Sequence, residues 1–147
     1  EEGCACGIGF TGKMFLDNLD AEDGDIVITD TEAGVEHFGR GLDRCADVIL
    51  MIIDPSYESI HLSEKIYDMG KALEKPVFFV INKADAEQAA MVRETIRDKD
   101  AVIAEIPAQT DIMMAGLKGE PLNCDSPGID EIVDRLVNLN KNKGVLC

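Results

Sequence analysis

Asp30 is the first candidate for a functional residue, because its type and position suit binding of a metal ion. It follows Ile26-Val27-Ile28, an apolar run that predicts a buried β-strand, and the turn after it carries Gly34. In open α/β sheets, ligands bind outside the carboxyl ends of the strands. Mg²⁺ binds there through one or two carboxylates together with substrate phosphates. We predict that Asp30 faces such a site; the alternative is an ordinary strand that ends in a polar turn.

A second candidate is Asn82-Lys83-Ala84-Asp85, which directly follows a buried apolar run. P-loop GTPases read guanine with an Asn-Lys-x-Asp at this position, and in related ATPases the asparagine alone lies near adenine. A carboxylate can accept two N–H donors, and an amide both donates and accepts. We predict contact with a nucleotide base. The alternative is a polar turn in which Asn82 or Asp85 caps the next helix.

Cys4 and Cys6 form the third candidate, because two thiolates one residue apart can chelate one metal ion. Tetrahedral zinc takes four ligands, and this pair supplies two. Two chains related by a two-fold axis would supply all four. The alternatives are two unrelated cysteines or a strained local disulfide.

The segment Gly7–Lys13 formally matches a phosphate-binding loop with two glycines and a lysine. That loop needs a strand before it and a Ser or Thr after the lysine, for Mg²⁺. Residues 1–6 cannot supply the strand, and Met14 follows the lysine. We therefore predict that this segment is not a phosphate loop.

The sequence predicts strands and helices that alternate along the chain, and these elements would hold the candidate residues in place. Continuous apolar runs predict parallel strands covered on both faces, and apolar residues at helical spacing predict the helices between them. The predicted fold is α/β, with a three-layer, doubly wound, mainly parallel sheet in a single domain over 1–147. Strands are predicted at 25–30, 48–53, 76–81 and 101–106, and helices at 13–20, 42–46, 57–74, 86–98, 111–117 and from Pro127 onward.

The composition excludes several classes of protein. The chain of 147 residues is 46% hydrophobic, which fits a globular domain with a core. Its net charge of -15 argues against nonspecific binding to nucleic acid or to anionic membranes. No apolar run reaches the roughly 20 residues of a membrane span. Five cysteines without a disulfide-framework pattern, and no signal peptide, predict a cytoplasmic protein.

The run from Asp30 to Gly41 (DTEAGVEHFGRG) resembles the signature of the CooC-type ATPases that mature carbon monoxide dehydrogenase. These belong with the MinD, ParA and nitrogenase iron-protein ATPases. Further segments agree in order and spacing: Asp54-Pro55-Ser56, Asn82-Lys83, Ile106-Pro107 with the following Gly119–Leu122, and the Cys4-x-Cys6 pair about two dozen residues before Asp30.

The resemblance implies an ATP-driven homodimer that helps insert nickel into carbon monoxide dehydrogenase, with ATP or ADP and Mg²⁺ as cofactors. Asp30 would be the catalytic switch carboxylate near Mg²⁺. Asn82 and Pro107 would line the adenine site, with Lys83 and Asp85 beside them. Cys4 and Cys6 would bind Zn²⁺ or Ni²⁺ between the subunits.

The family begins with a strand and a lysine-bearing phosphate loop, and neither is recognisable in these residues. We therefore expect a partial P-loop ATPase domain that is an ATP hydrolase only within a longer protein and is nearly inactive by itself. Two alternatives remain. One is a metal-linked dimerisation module without catalysis, and the other is a MinD-like or iron-protein-like ATPase with another client.

Overall fold

A computed structural model describes residues 14–20, 22, 24–31, 45–122 and 126–143. The chain divides into two compact units, residues 1–49 with 65–77 and residues 50–64 with 78–147. That the chain is a single domain stays a prediction. Along the described ranges, no helix is long and apolar enough to cross a membrane.

Three strands form a parallel sheet in the order β1-β2-β3, with helices flanking it. The strands are β1 (Ile49–Ile53), β2 (Val77–Asn82) and β3 (Val102–Ile106). The helices are α1 (Tyr57–Ala72), α2 (Ala86–Thr95), α3 (Thr110–Lys118) and α4 (Pro127–Lys143), and a short 3₁₀ helix (Lys99–Ala101) precedes β3. The predicted α/β fold class is confirmed, and the architecture is consistent with a P-loop-like fold.

The strands form where the sequence has continuous apolar runs, because central parallel strands bury both faces. Phe79, Val80 and Ile81 of β2 are at most 1% exposed. Its neighbour β3 pairs with it in parallel, with Val80 beside Ala104 and Asn82 beside Ile106. The second unit therefore has its core around the middle strand.

Helix α2 packs its apolar side inward through Ala89 and Val92, both buried. Its last turn closes when the N–H of Ile96 donates to the Val92 carbonyl, and the backbone of Ile96 is already extended. The helix thus ends at Thr95, before the predicted end at residue 98. Arg93 ties it to β3, since its Nε and Nη2 each lie 2.8 Å from Glu105 Oε1.

Helix α1 ends in a Schellman-type turn within the first unit. The N–H of Lys75 donates to the Gly70 carbonyl at 2.9 Å, and Glu74 takes the left-handed conformation with φ 57°. Glycine is the usual residue at this position, because it has no Cβ to clash. Gly70 lies near the end of α1. A Cβ on this residue would overlap the Val77 side chain, so the position requires glycine.

The predicted strand at 25–30 is wrong for this structure. Residues 25–31 have no regular secondary structure, and the side chain of Ile28 is 86% exposed. A β-strand needs a neighbouring backbone for its hydrogen bonds, and the sheet of the described residues contains only β1, β2 and β3. Three β-branched residues favour a strand, but they cannot form one without a partner.

Of two further predicted helices, one is shorter in the structure and the other is largely untested. The helix predicted at 13–20 is a single helical turn at 14–17, where Asn18 Nδ2 donates to the Met14 carbonyl at 2.7 Å. Most of the helix predicted at 42–46 lies outside the described residues, and only Cys45 is helical there.

Candidate functional site

The carboxyl ends of the three parallel strands bring three residues of the second unit to one edge of the sheet. Asp54 follows β1, Asn82 ends β2, and Pro107 follows β3. Asn82 and Ile106 are register partners, so Pro107 comes directly after the residue beside Asn82. This is the edge at which open α/β sheets bind ligands.

Asn82 is half-buried and Pro107 is exposed. An amide at the end of a buried strand can present both a donor and an acceptor to a ligand. The structure therefore brings together the two residues that the sequence assigned to the adenine side. Their contact with a nucleotide stays a prediction.

Lys83 lies one residue beyond β2 in the left-handed conformation, with φ 56°. This conformation is uncommon for a residue with a Cβ and often accompanies tight turns or functional sites. The Nζ atom of Lys83 lies 4.0 Å from Asp54 Oδ2, and both side chains are more than half exposed. The pair links the ends of β1 and β2, but a ligand can compete for it at little cost, because an exposed ion pair contributes about 0–1 kcal/mol.

Asp54 was not among the predicted site residues, although its position directly after an apolar strand is the signal that could have identified it. Its backbone N–H donates to Ser59 Oγ at 3.2 Å, and its carbonyl accepts the N–H of Ser56 at 2.7 Å. The N–H of Ser59 donates in turn to Ser56 Oγ at 3.2 Å. These bonds hold the turn between β1 and α1, so that Asp54 lies at the strand end.

Asp85 is the N-cap of α2. The N–H of Gln88 donates to Asp85 Oδ1 at 2.9 Å, and the N–H of Asp85 donates to Gln88 Oε1 at 3.0 Å. This reciprocal capping box satisfies two donors at the start of the helix. Ala84, between Lys83 and the cap, is buried. The capping role that the sequence offered as an alternative for Asp85 is present, and its contact with a base stays a prediction.

Asp30 is exposed, in the irregular segment 25–31 of the first unit. Its role as a catalytic carboxylate near Mg²⁺ stays a prediction. Cys4, Cys6 and the Gly7–Lys13 segment lie outside the described residues, as do Gly34 and His37. Among the residues that the structure describes, no group of three or more His, Cys, Asp and Glu side chains could hold a metal ion.

Comparison with known proteins gives similarity to ATP-binding proteins of the archaeon Methanocaldococcus jannaschii. One uncharacterized ATP-binding protein is 49% identical over 135 residues, covering 92% of this chain and 54% of that protein. A second is 28% identical over 134 residues, covering 89% of this chain and 52% of its own length. The chain thus spans about half the length of these relatives.

A partial similarity extends to the carbon monoxide dehydrogenase accessory protein CooC of Rhodospirillum rubrum. It is 29% identical over 82 residues, covering 55% of this chain and 31% of CooC. No protein-family model matches the chain. The similarities to ATP-binding proteins and to CooC support a relationship to CooC-like P-loop ATPases.

Proposed function

We propose that this chain supplies the base-binding side of an ATP site in a CooC-like ATPase. One observation carries the proposal: Asn82 and the Ile106-Pro107 segment meet as register neighbours at the ligand-binding edge of a parallel sheet. In this account the Asn82 amide bonds the adenine and Pro107 packs against it. The names of the M. jannaschii relatives, which state ATP binding, support the choice of nucleotide.

The phosphate side of this site is assigned to Lys83. Asp30, in the other unit, stays our candidate for a carboxylate that binds Mg²⁺, since a carboxylate is a usual ligand of that ion. Lys83 would break its weak ion pair with Asp54 and bind the phosphate groups of the nucleotide, whose negative charge is more concentrated. ATP hydrolysis by the whole protein would also require a phosphate-binding loop.

We further propose that the whole protein is a homodimeric accessory factor for nickel insertion into carbon monoxide dehydrogenase. The partial similarity to CooC and the Cys4-x-Cys6 pair support this assignment. The two cysteines of each subunit would together hold one Zn²⁺ or Ni²⁺. The acidic chain, with a net charge of -15, fits a cytoplasmic protein that does not bind nucleic acid.

A second candidate function is an ATPase of the same kind with a different client. The similarity to one protein named only as ATP-binding favours it, because that protein is 49% identical over 92% of the chain, whereas CooC is 29% identical over 55% of the chain. A pull-down with apo-carbon monoxide dehydrogenase, with and without ATP, separates the two candidates. Binding that ATP modulates supports the first, and no binding supports the second.

Isothermal titration calorimetry with ATP and Mg²⁺ tests the nucleotide site. Asn82→Ala should weaken ATP binding by about threefold to tenfold, since one hydrogen bond contributes about 0.5–1.5 kcal/mol. Asn138→Ala is the matched control, because Asn138 is an exposed residue on α4. Equal ATP affinity for both variants contradicts the proposed role of Asn82.

A further inference from the structure

We infer that the outward face of α3 is a contact surface for a second copy of this chain, with the two α3 helices antiparallel about a two-fold axis. The inference goes beyond the proposed function, because this contact needs neither a nucleotide nor a metal ion. It is also separate from the metal link proposed for Cys4 and Cys6, and the two can be measured independently.

Helix α3 carries apolar residues on two opposite sides. Successive residues turn by about 100° around a helix, so Ile112 and Ala115 share one side, and Met113, Met114 and Leu117 share the other. The first two residues are half-buried, whereas the other three are 58%, 40% and 76% exposed, in that order. Single exposed apolar residues are common, but three neighbouring large ones on one helix face indicate an interaction site.

The charges beside this outward face indicate what kind of partner it fits. Asp111 lies in the first turn of α3 and Lys118 in the last. Seven residues make nearly two full turns, so both side chains lie on the same flank of the face. The flank therefore carries a negative charge at one end and a positive charge at the other. A uniformly basic or uniformly acidic partner would be attracted at one end and repelled at the other.

A second copy of the chain is complementary at both ends. In a two-fold contact, a residue that meets a second residue of the other copy is itself met in the same way. When two α3 helices lie antiparallel, the axis is perpendicular to the plane that contains them, so the charged flanks fall on the same side of the pair. Asp111 of each copy then lies beside Lys118 of the other. The positive start of each helix dipole also lies beside the negative end of the other.

The ion pair that Lys118 already makes is compatible with this contact. Its Nζ atom lies 3.8 Å from Glu120 Oε2, and both side chains are more than half exposed. An exposed pair of this kind contributes little to stability, so Lys118 can exchange it for Asp111 of the other copy.

The contact is small, because α3 has 9 residues and presents one face. That area falls short of the roughly 800 Å² per partner of a standard interface, so we expect a weak dimer with a dissociation constant of about 10–1000 µM. Native mass spectrometry at low micromolar concentration therefore reports the metal link alone.

Sedimentation equilibrium of the chain that carries Cys4→Ser and Cys6→Ser tests the contact without the metal link. In about 0.15 M salt, where repulsion between the acidic chains is screened beyond about 8 Å, the dimer fraction should rise with concentration. Met113→Gln should weaken association about tenfold, because a two-fold contact loses the side chain twice. Met91→Gln is the matched control, since Met91 is an exposed methionine on α2 and glutamine has a similar helix propensity. Absence of association up to about 1 mM, or equal weakening by both variants, overturns the inference.

Charge reversal tests the antiparallel pairing. Asp111→Lys leaves two positive charges on the flank and Lys118→Asp leaves two negative ones, so each variant alone should associate about tenfold more weakly. An equal mixture of the two variants brings opposite charges together at both ends. It should restore association to within about threefold of the unaltered flank, which would also show that both variants fold. A mixture that associates as weakly as its separate components overturns the proposed pairing.

Discussion

Lys83 Nζ lies 4.0 Å from Asp54 Oδ2, so an ion pair connects the carboxyl ends of β1 and β2. The distance is long for an ion pair, and water reaches both side chains. The pair therefore does little to stabilise the fold, although it fixes where a positive charge lies at the ligand-binding edge. The proposed phosphate contact of Lys83 depends on that weakness.

We expect a double-mutant cycle of Asp54→Ala and Lys83→Ala to give a coupling energy of about 0–1 kcal/mol in chemical denaturation. The coupling should fall further in 1 M salt, where the Debye length shrinks to about 3 Å. A coupling that persists in high salt at about 2 kcal/mol would show that the pair is structural. In that case Lys83 would not be free to move to a ligand.

Glu74 and Lys83 both hold left-handed backbone conformations, with φ 57° and 56°. Replacing either with glycine relieves strain of about 1 kcal/mol, partly offset by the greater freedom of the unfolded chain. We therefore expect Glu74→Gly and Lys83→Gly each to change the free energy of unfolding by less than about 1 kcal/mol.

The same two variants should differ in nucleotide binding. Only Lys83→Gly removes a side chain from the strand ends, and it should weaken ATP binding without a loss of stability. Equal ATP affinity of the two variants, measured by calorimetry, would remove Lys83 from the proposed site.

Gly70 and Gly116 both lie in helices, but Gly70 is closely packed and Gly116 has open space beside it. A Cβ on Gly70 would overlap Val77 Cγ2 and lie 3.3 Å from Ile49 Cδ1, whereas nothing lies within 4 Å of one on Gly116. Overpacking costs about 1–3 kcal/mol, and alanine gains about 1 kcal/mol over glycine in helix propensity.

Gly70→Ala should therefore lower the free energy of unfolding by about 1 kcal/mol or more, and Gly116→Ala should raise it by about 0.5–1 kcal/mol. Urea denaturation of the two variants measures both values. Stabilisation by Gly70→Ala would mean that α1 and β2 are not packed as closely as described.

Metal removal tests the proposed role of Cys4 and Cys6. Native mass spectrometry should find one metal ion per dimer, and a chelator should convert the dimer to monomers, because two thiolates from each chain complete a four-ligand site. Cys4→Ser with Cys6→Ser should have the same effect, and Cys45→Ser is the control. If the dimer survives chelation, dimerisation does not depend on the metal ion.

The sequence correctly predicted the strands whose apolar runs have a neighbouring strand to pair with. The runs at Ile49–Ile53, Val77–Asn82 and Val102–Ile106 became strands because each has a neighbour in the sheet. Ile26-Val27-Ile28 has the same pattern, but the described part of the sheet offers it no partner. Pairing is a property of the whole fold, and a local run of residues does not contain it.

The candidate site was predictable in part for a similar reason. Strand ends follow from the apolar runs, which is why Asn82 and Pro107 lie where the sequence placed them. The sequence left open whether Asp85 caps α2 or contacts a nucleotide base, because an aspartate between a strand and a helix can do either. Only the hydrogen bonds with Gln88 establish it as the helix cap.

The most direct test of the nucleotide site is an NMR titration of the ¹⁵N-labelled chain with ATP and Mg²⁺. The account predicts that the amide signals of Asp54, Asn82, Lys83 and Ile106 shift together with a single dissociation constant. Signals of the 3₁₀ helix Lys99–Ala101, at the opposite end of β3, should not move. Shifts confined to the 3₁₀ helix, or none at saturating ATP, would contradict a nucleotide site at the carboxyl edge of the sheet.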